Sequence, residues 1–343
     1  FLVFFVSELY SQAHSGTCTW TGATDTNWSE TGNWSGCDNG NGYPSGINAI
    51  AKITTANKAI TLDVDVELRQ MNFLGSGPGG TYTITSSNSS VLTFSGGTTG
   101  AVSTQMLQVN RGNVTIVLNT DVTIDNANGA TRDFLVGKES QGTANSLTFG
   151  ENYTLSLADG LRIRFYNTNE TFADDGVYHT VNINGTVSSP SGTYKDLIFE
   201  DNRTVNIGAN SVWSAFRGDI QITGANGDGN VTVSGPVRTR ELIMDGKADL
   251  VINATGSVYA TGSSTATNNG ACAALKVETT GTGIIVVKTT NANSGSFWAI
   301  YQADTDCNSA NTNDINIKFE RALDATNSNS ATEWTLVSVP VVG

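Results

Sequence analysis

From about Ile60 to Val287 the chain keeps returning to one pattern. Short alternating runs of Val, Ile, Leu, Thr and Phe are separated by turns rich in Asn, Gly, Ser and Asp. ITLDVDVEL, TYTITS, NVTIVL, DVTID, SLTF, LRIRF, TVNING, DIQITG and NVTVSG follow one another with little between them. Many short strands at near-regular spacing, with no sustained 3.6-residue period, predict an all-β protein built by repetition. Alternation sets the faces. Ile60, Leu62, Val64, Val66 and Leu68 fall on one side of a strand, and Asp63, Asp65 and Glu67 on the other. Leu161, Ile163 and Phe165 likewise oppose Arg162 and Arg164. One apolar and one wet face suit a β-solenoid, in which each coil buries its inner face against the coils above and below. Tandem β-sandwiches are the alternative. Asn119, Asn126, Asn184, Asn210 and Asn253 are the expected corner residues, able to adopt the left-handed conformation and to stack between coils.

Only five Pro residues occur, and no Pro-rich or low-complexity linker interrupts the middle of the chain. Three zones result: a Trp- and Gly-rich opening over residues 1–58, the repeated strands over 59–287, and a less regular closing segment over 288–343. A solenoid exposes an apolar cross-section and unpaired backbone groups at each end, so both ends require caps. The two outer zones occupy those places.

The polar positions are filled by Thr, Ser, Asn and Gly, and only 14% of residues are charged. Net charge is −13, with 18 Lys and Arg. Phosphate binding needs a basic footprint, so a nucleic-acid partner is not expected. Four cysteines, Cys18, Cys37, Cys272 and Cys307, form two local pairs without the spacing of a zinc site. Disulfides Cys18–Cys37 and Cys272–Cys307 are the simplest reading and imply an oxidising compartment; four buried thiols in a reducing cell are the alternative. N-x-S/T sequons recur, Asn27, Asn33, Asn88, Asn113 and Asn152 among them, but a chain this rich in Asn, Ser and Thr yields many by chance.

Phe1, Leu2, Val3, Phe4, Phe5 and Val6 form the most apolar stretch. It is too short for a membrane-spanning helix, and no membrane span is expected. One reading makes it the remnant of a signal-peptide core, with Ser11-Gln12-Ala13 as the cleavage site before His14. The other makes it an assembly strand, buried in its own fold or donated to a neighbouring copy. High β-propensity without charge or Pro favours burial.

The stretch Cys18-Thr-Trp20-Thr-Gly22-Ala-Thr-Asp25-Thr-Asn27-Trp28-Ser-Glu-Thr-Gly32-Asn33-Trp34 resembles the W-T-G-x-x-D-x-x-W-x-x-x-x-N-W opening of bacterial secreted and cell-surface proteins of the autotransporter or adhesin type. That resemblance implies an extracellular, single-stranded right-handed parallel β-helix with adhesive or structural duty. In physical terms Trp20, Trp28 and Trp34 offer flat apolar faces to cover a core cross-section, and Gly22, Gly32 and Gly36 permit tight turns between them. A sugar-binding aromatic platform is the alternative use of the same rings.

Enzymatic candidates are sparse. Glycoside hydrolysis needs two facing carboxylates, and Asp174–Asp175, Glu200–Asp201 and Asp304–Asp306 read as turn residues. Arg162, Arg164, Arg238 and Arg240 form two outward pairs suited to neutralising neighbouring acids. His179 has the parity of Val177, Val181 and Ile183, which makes it a core histidine with a partner; His14 lies in the opening segment. No cofactor is expected. Calcium is the candidate ion, with Asp63, Asp65, Glu67, Asp304 and Asp306 as candidate oxygen ligands. The resulting expectation is a non-enzymatic extracellular structural protein that assembles with copies of itself into a surface fibre, sheath or layer. An adhesin or glycan-binding module, displaying Trp28, Trp34, Trp213 or Trp298, is second, with glycans or a cell surface as partner. A β-helix polysaccharide lyase or hydrolase is third.

Overall fold

The computed structural model describes residues 12–37, 42–54, 59–74, 79–95, 105–110, 112–125, 131–137, 144–158, 162–167, 179–189, 196–199, 203–224, 230–246, 249–260, 275–277, 284–288, 296–299 and 316–320. Among them the only helix is a single 3-10 turn, Thr31–Asn33. The strands follow in threes: Ile50–Ile53, Ala59–Leu62 and Val66–Leu68; then Gln70–Phe73, Gly80–Ser86 and Val91–Phe94; then Gln105–Val109, Val114–Asn119 and Asp121–Ile124. The next triplets are Thr131–Gly137, Ser146–Phe149 and Thr154–Leu157, and Arg162–Asn167, His179–Ile183 and Thr186–Ser188. Each strand pairs in parallel with the strand of the same place in the neighbouring triplets, which yields an eleven-stranded first sheet and a ten-stranded second sheet. The third position carries a five-stranded sheet and, further along, a three-stranded one. Between those two, Val212 bridges to Thr186. Partners in successive triplets are 21 residues apart at Asp219 and Arg240 and 34 apart at Thr148 and Asn182. Parallel pairing by consecutive triplets is not the antiparallel pairing of tandem sandwiches.

The strands of the second and third sheets alternate buried and partly exposed residues as expected, and parallel register turns this into columns, whereas Gln70–Phe73 and residues 132–136 of the first sheet are buried throughout. On the second sheet Ile84, Leu118, Phe149, Ile183, Ile207, Val233 and Ile252 lie in one register line, all buried. On the first sheet Phe134 stacks on Phe165 at 5.1 Å and Phe165 on Phe199 at 5.5 Å. Every rung thus buries its apolar face against like residues of the next rung, where close packing is reached by repetition.

Two expectations need correction. Ile60 to Leu68 is not one strand. It bends at Asp63–Asp65, so that Ala59–Leu62 lies in the second sheet and Val66–Leu68 in the third. The bend takes an odd number of residues, so parity survives and the alternation cannot reveal it. Val64 sits at that corner, only partly buried. The left-handed positions are also elsewhere. Among described non-glycine residues Asn88, Ser89 and Asn113 have positive φ, and Asn119, Asn184, Asn210 and Asn253 do not; Asn126 lies outside the described residues. Asn119, Asn184 and Asn253 do occupy one corner line, which runs Asn119, Gly150, Asn184, Gly208, Ser234 and Asn253. A Cβ on Gly150 would lie 2.4 Å from Asn119 Oδ1, and one on Gly208 2.5 Å from Asn184 Oδ1. The asparagine of one rung therefore fills the space left by the glycine of the next.

Pairing crosses both zone boundaries. Ile50–Ile53 pairs with Gln70–Phe73 at one end, and Ile284–Lys288 with Asn316–Glu320 at the other.

Candidate functional site: the N-terminal closure

All three sheets begin at one end of the ladder, and residues 15–37 and 42–50 cover each of their edges. The first sheet ends in Trp34–Ser35, which pairs antiparallel with Thr17–Trp20, the only antiparallel pair among the described strands. At the second sheet, Trp28 N donates to Thr61 O at 2.8 Å and Thr61 N to Thr26 O at 2.7 Å. At the third, Gly46 N donates to Glu67 O at 2.7 Å. Backbone groups that would otherwise be open to another chain are thereby occupied.

Three indoles fill the cross-section behind this cover. Trp20, Trp28 and Trp34 are all buried. Trp34 meets Trp20 at 5.0 Å and Trp28 at 4.6 Å, both edge to face, a favoured arrangement for aromatic pairs. Trp28 Nε1 donates to Pro44 O, and Trp34 Nε1 to Trp28 O. The segment between the rings is organised by Asn33, which is 0% exposed. Asn33 Oδ1 accepts from Thr24 N and Asp25 N, and its Nδ2 donates to Asp25 Oδ1 and Asn27 O. Its carbonyl accepts from Thr21 N and the Thr21 hydroxyl. Asp25 in turn accepts from Asn27 N. Gly22 has φ of 54°, the left-handed region, and a Cβ there would press on the Trp20 ring at 3.1 Å. Each residue of the W-T-G…D…W…N-W pattern has an identifiable structural part. A disulfide joins Cys18 to Cys37 across this segment. Cys272 and Cys307 lie outside the described residues, as do Phe1–Val6.

The acidic residues proposed for calcium are used internally. Asp63 accepts from Ser29 N at 3.0 Å and from the Ser29 hydroxyl at 2.5 Å. Asp65 accepts from Val91 N, and Glu67 from the Ser95 hydroxyl. They fix the closure and the first corners. Among the described residues no three His, Cys, Asp or Glu side chains come together as a metal group. Asp304, Asp306, Asp174–Asp175 and Glu200–Asp201 lie outside the described residues. Burial and the charge of Asp63 raise the Tyr43 hydroxyl above its usual pKa, burial being the larger effect.

Arg164 and Arg240 neutralise acids, but the acids are buried and not on a wet face; the side chain of Arg162 lies outside the described residues. Arg164 Nε lies 2.9 Å from Asp133 Oδ1, and Asp133 is fully buried. Arg240 pairs with Asp219, which also accepts from Glu241 N. Arg238 instead lies over the Tyr259 ring, 5.9 Å from its centroid. Arg132, unmentioned by the pattern, is buried next to Asp133, and desolvation lowers its pKa. His179 is buried, and its Nδ1 accepts from Asn145 N. Trp213, offered as a surface platform, is buried like Trp28 and Trp34 because its ring fills the core where Val212 bridges; the side chain of Trp298 is outside the described residues. Among the described residues the exposed large aromatic is Tyr259, at 40%. No motif signals it; only its strand parity could have done so.

No protein-family model matches the chain, and no curated protein or solved structure matches it either.

Proposed function

We propose that the chain is a β-solenoid, a single-stranded parallel β-helix of the right-handed kind, serving outside the cell as a self-assembling structural subunit of a surface fibre, sheath or layer. One observation carries this reading: a continuous in-register ladder meets a non-repeating closure at its N-terminal end. At about 4.8 Å per rung, ten rungs make a stiff element of roughly 45 to 50 Å. The Cys18–Cys37 disulfide supports an oxidising, extracellular setting. The W-T-G…N-W opening supports kinship in style with bacterial surface β-helices.

The closure bears on how copies join. With all three N-terminal edges engaged, bare edge-to-edge growth through this end is blocked. Assembly there then requires a donated segment, and Phe1–Val6 has the composition for one. Electron microscopy of the purified full chain tests the proposal. Regular fibres or sheets are expected, and deletion of Phe1–Tyr10 leaves a folded protein that no longer assembles. Filaments formed by the deletion variant rule out strand donation, and a full chain that stays monomeric at high concentration rules out self-assembly.

A glycan-binding duty has one observation in its favour. Arg238, Tyr259 and Trp298 share a register line on the three-stranded sheet, with Tyr259 exposed. Tyr259→Ala then weakens retention on immobilised glycans without changing the melting temperature.

A further inference from the structure

The outer face of the second sheet carries a regular, uncharged array. Thr81, Thr115, Ser146, Thr180, Thr204 and Asn230 form one register line across six strands. Two residues along each strand, Thr83, Val117, Thr148, Asn182, Asn206 and Thr232 form the second. The residues between the lines, such as Ile116, Leu147 and Val181, are buried, so both lines face outward. We propose that this face binds ice, by holding water on a two-dimensional lattice of hydroxyl, methyl and carboxamide groups.

The geometry and the content of the face both point there. Strand spacing sets one repeat at about 4.8 Å, and two residues along a strand set the other at about 6.6 Å. The prism plane of ice repeats in its two directions at lengths of this size. No side chain in the two lines is charged, in a chain with 31 acidic and 18 basic residues. That excludes a polyanion, which needs cations. None is aromatic, so the face lacks the flat rings that stack on sugars. Nor does it hold the aromatics, Met and Arg that enrich the core of a protein interface. An ice plane is neutral, flat and periodic, and it rewards a rigid array whose weak contacts all fit at once. The ladder supplies that rigidity before contact, so little ordering is left to lose on binding. Side chains are held in the plane as well: Asn182 Nδ2 donates to Thr148 Oγ1, and Asn206 Nδ2 to Asn182 Oδ1, both at 3.0 Å. The array stops at the next strand, where Asp249 takes the place in line after Asn230.

Ice recrystallisation and thermal hysteresis, measured on the full chain, provide the test. The wild type is expected to arrest crystal growth. Thr148→Lys combined with Thr180→Lys abolishes the effect, while Thr93→Lys with Thr123→Lys, on the third sheet, retains it. Circular-dichroism melts confirm that each variant is folded; Thr204→Tyr, which suits a strand, gives the same readout if the lysine variant unfolds. A wild type without activity overturns the proposal, and so does equal loss in both variants or full activity in the second-sheet variant. Sedimentation with crystalline cellulose or chitin but not with ice also overturns it. The inference needs only the outward register, so its failure leaves self-assembly untouched, and the reverse holds too.

Discussion

The N-terminal closure and the ladder behind it are stabilised in opposite ways. The ladder repeats: Phe134, Phe165 and Phe199 lie in the same line as Leu107, Ile222 and Met244, so several apolar residues serve in one kind of place. The closure does not repeat. Its contacts are single and directional, and Asn33 alone satisfies four side-chain hydrogen bonds in the dry interior. A stack tolerates exchange because neighbouring rungs share the load. An end must stop the stack, and it can do so only with residues that fit nowhere else. Substitutions should therefore cost far more in the closure than in the ladder.

The largest effect is expected at Trp28→Ala. It empties a fully buried site, removes an edge-to-face partner of Trp34 and leaves Pro44 O without its donor. A loss of about 5 kcal/mol is expected, read by denaturant unfolding, together with fast hydrogen exchange at Thr61 N. A value below that of an ordinary ladder substitution would erase the contrast between the two regions. Next comes Asn33→Ala, which strands Thr24 N and Asp25 N; about 3 kcal/mol is expected. Reducing Cys18–Cys37 opens a loop with a sequence separation of 19, for which chain entropy gives about 3 kcal/mol, read as a fall in melting temperature in reductant.

The ladder side should respond weakly. Gly208→Ala places a Cβ against Asn184 Oδ1 and should cost about 1 to 2 kcal/mol, most of it recovered on adding Asn184→Gly. A double-mutant cycle with no coupling would show that the asparagine–glycine alternation is not a packing device. The same alternation explains why Asn appears at corners without taking the left-handed conformation there.

Much of the ladder was legible in the sequence. Parity named Ile60, Leu62, Val66, Leu68, Ile163 and Phe165 as inward, and His179 followed the same rule, whereas Gln70–Phe73 and residues 132–136 are buried without alternation. The closure was legible in part, because Trp, Gly, Asp and Asn at fixed spacing form a recognisable group. The bend at Asp63–Asp65 was not, since a bend that preserves parity leaves no trace in an alternating pattern. Nor were the buried acids: nothing in the alternation singles out Asp133 and Asp219, and their burial goes with ion pairs to Arg164 and Arg240 that only the stacked rungs bring together.

The sequence by itself determined strand identity, inner and outer faces and the Trp-rich end, because these depend on local period and composition. Tertiary structure alone decided which strand lies on which, and so which residues share a column. Register joins residues some 20 to 35 positions apart, a distance at which no local pattern carries information. That is why Tyr259 beside Arg238, Asn33 among its partners and the uncharged lattice of the second sheet emerged only once the rungs were stacked.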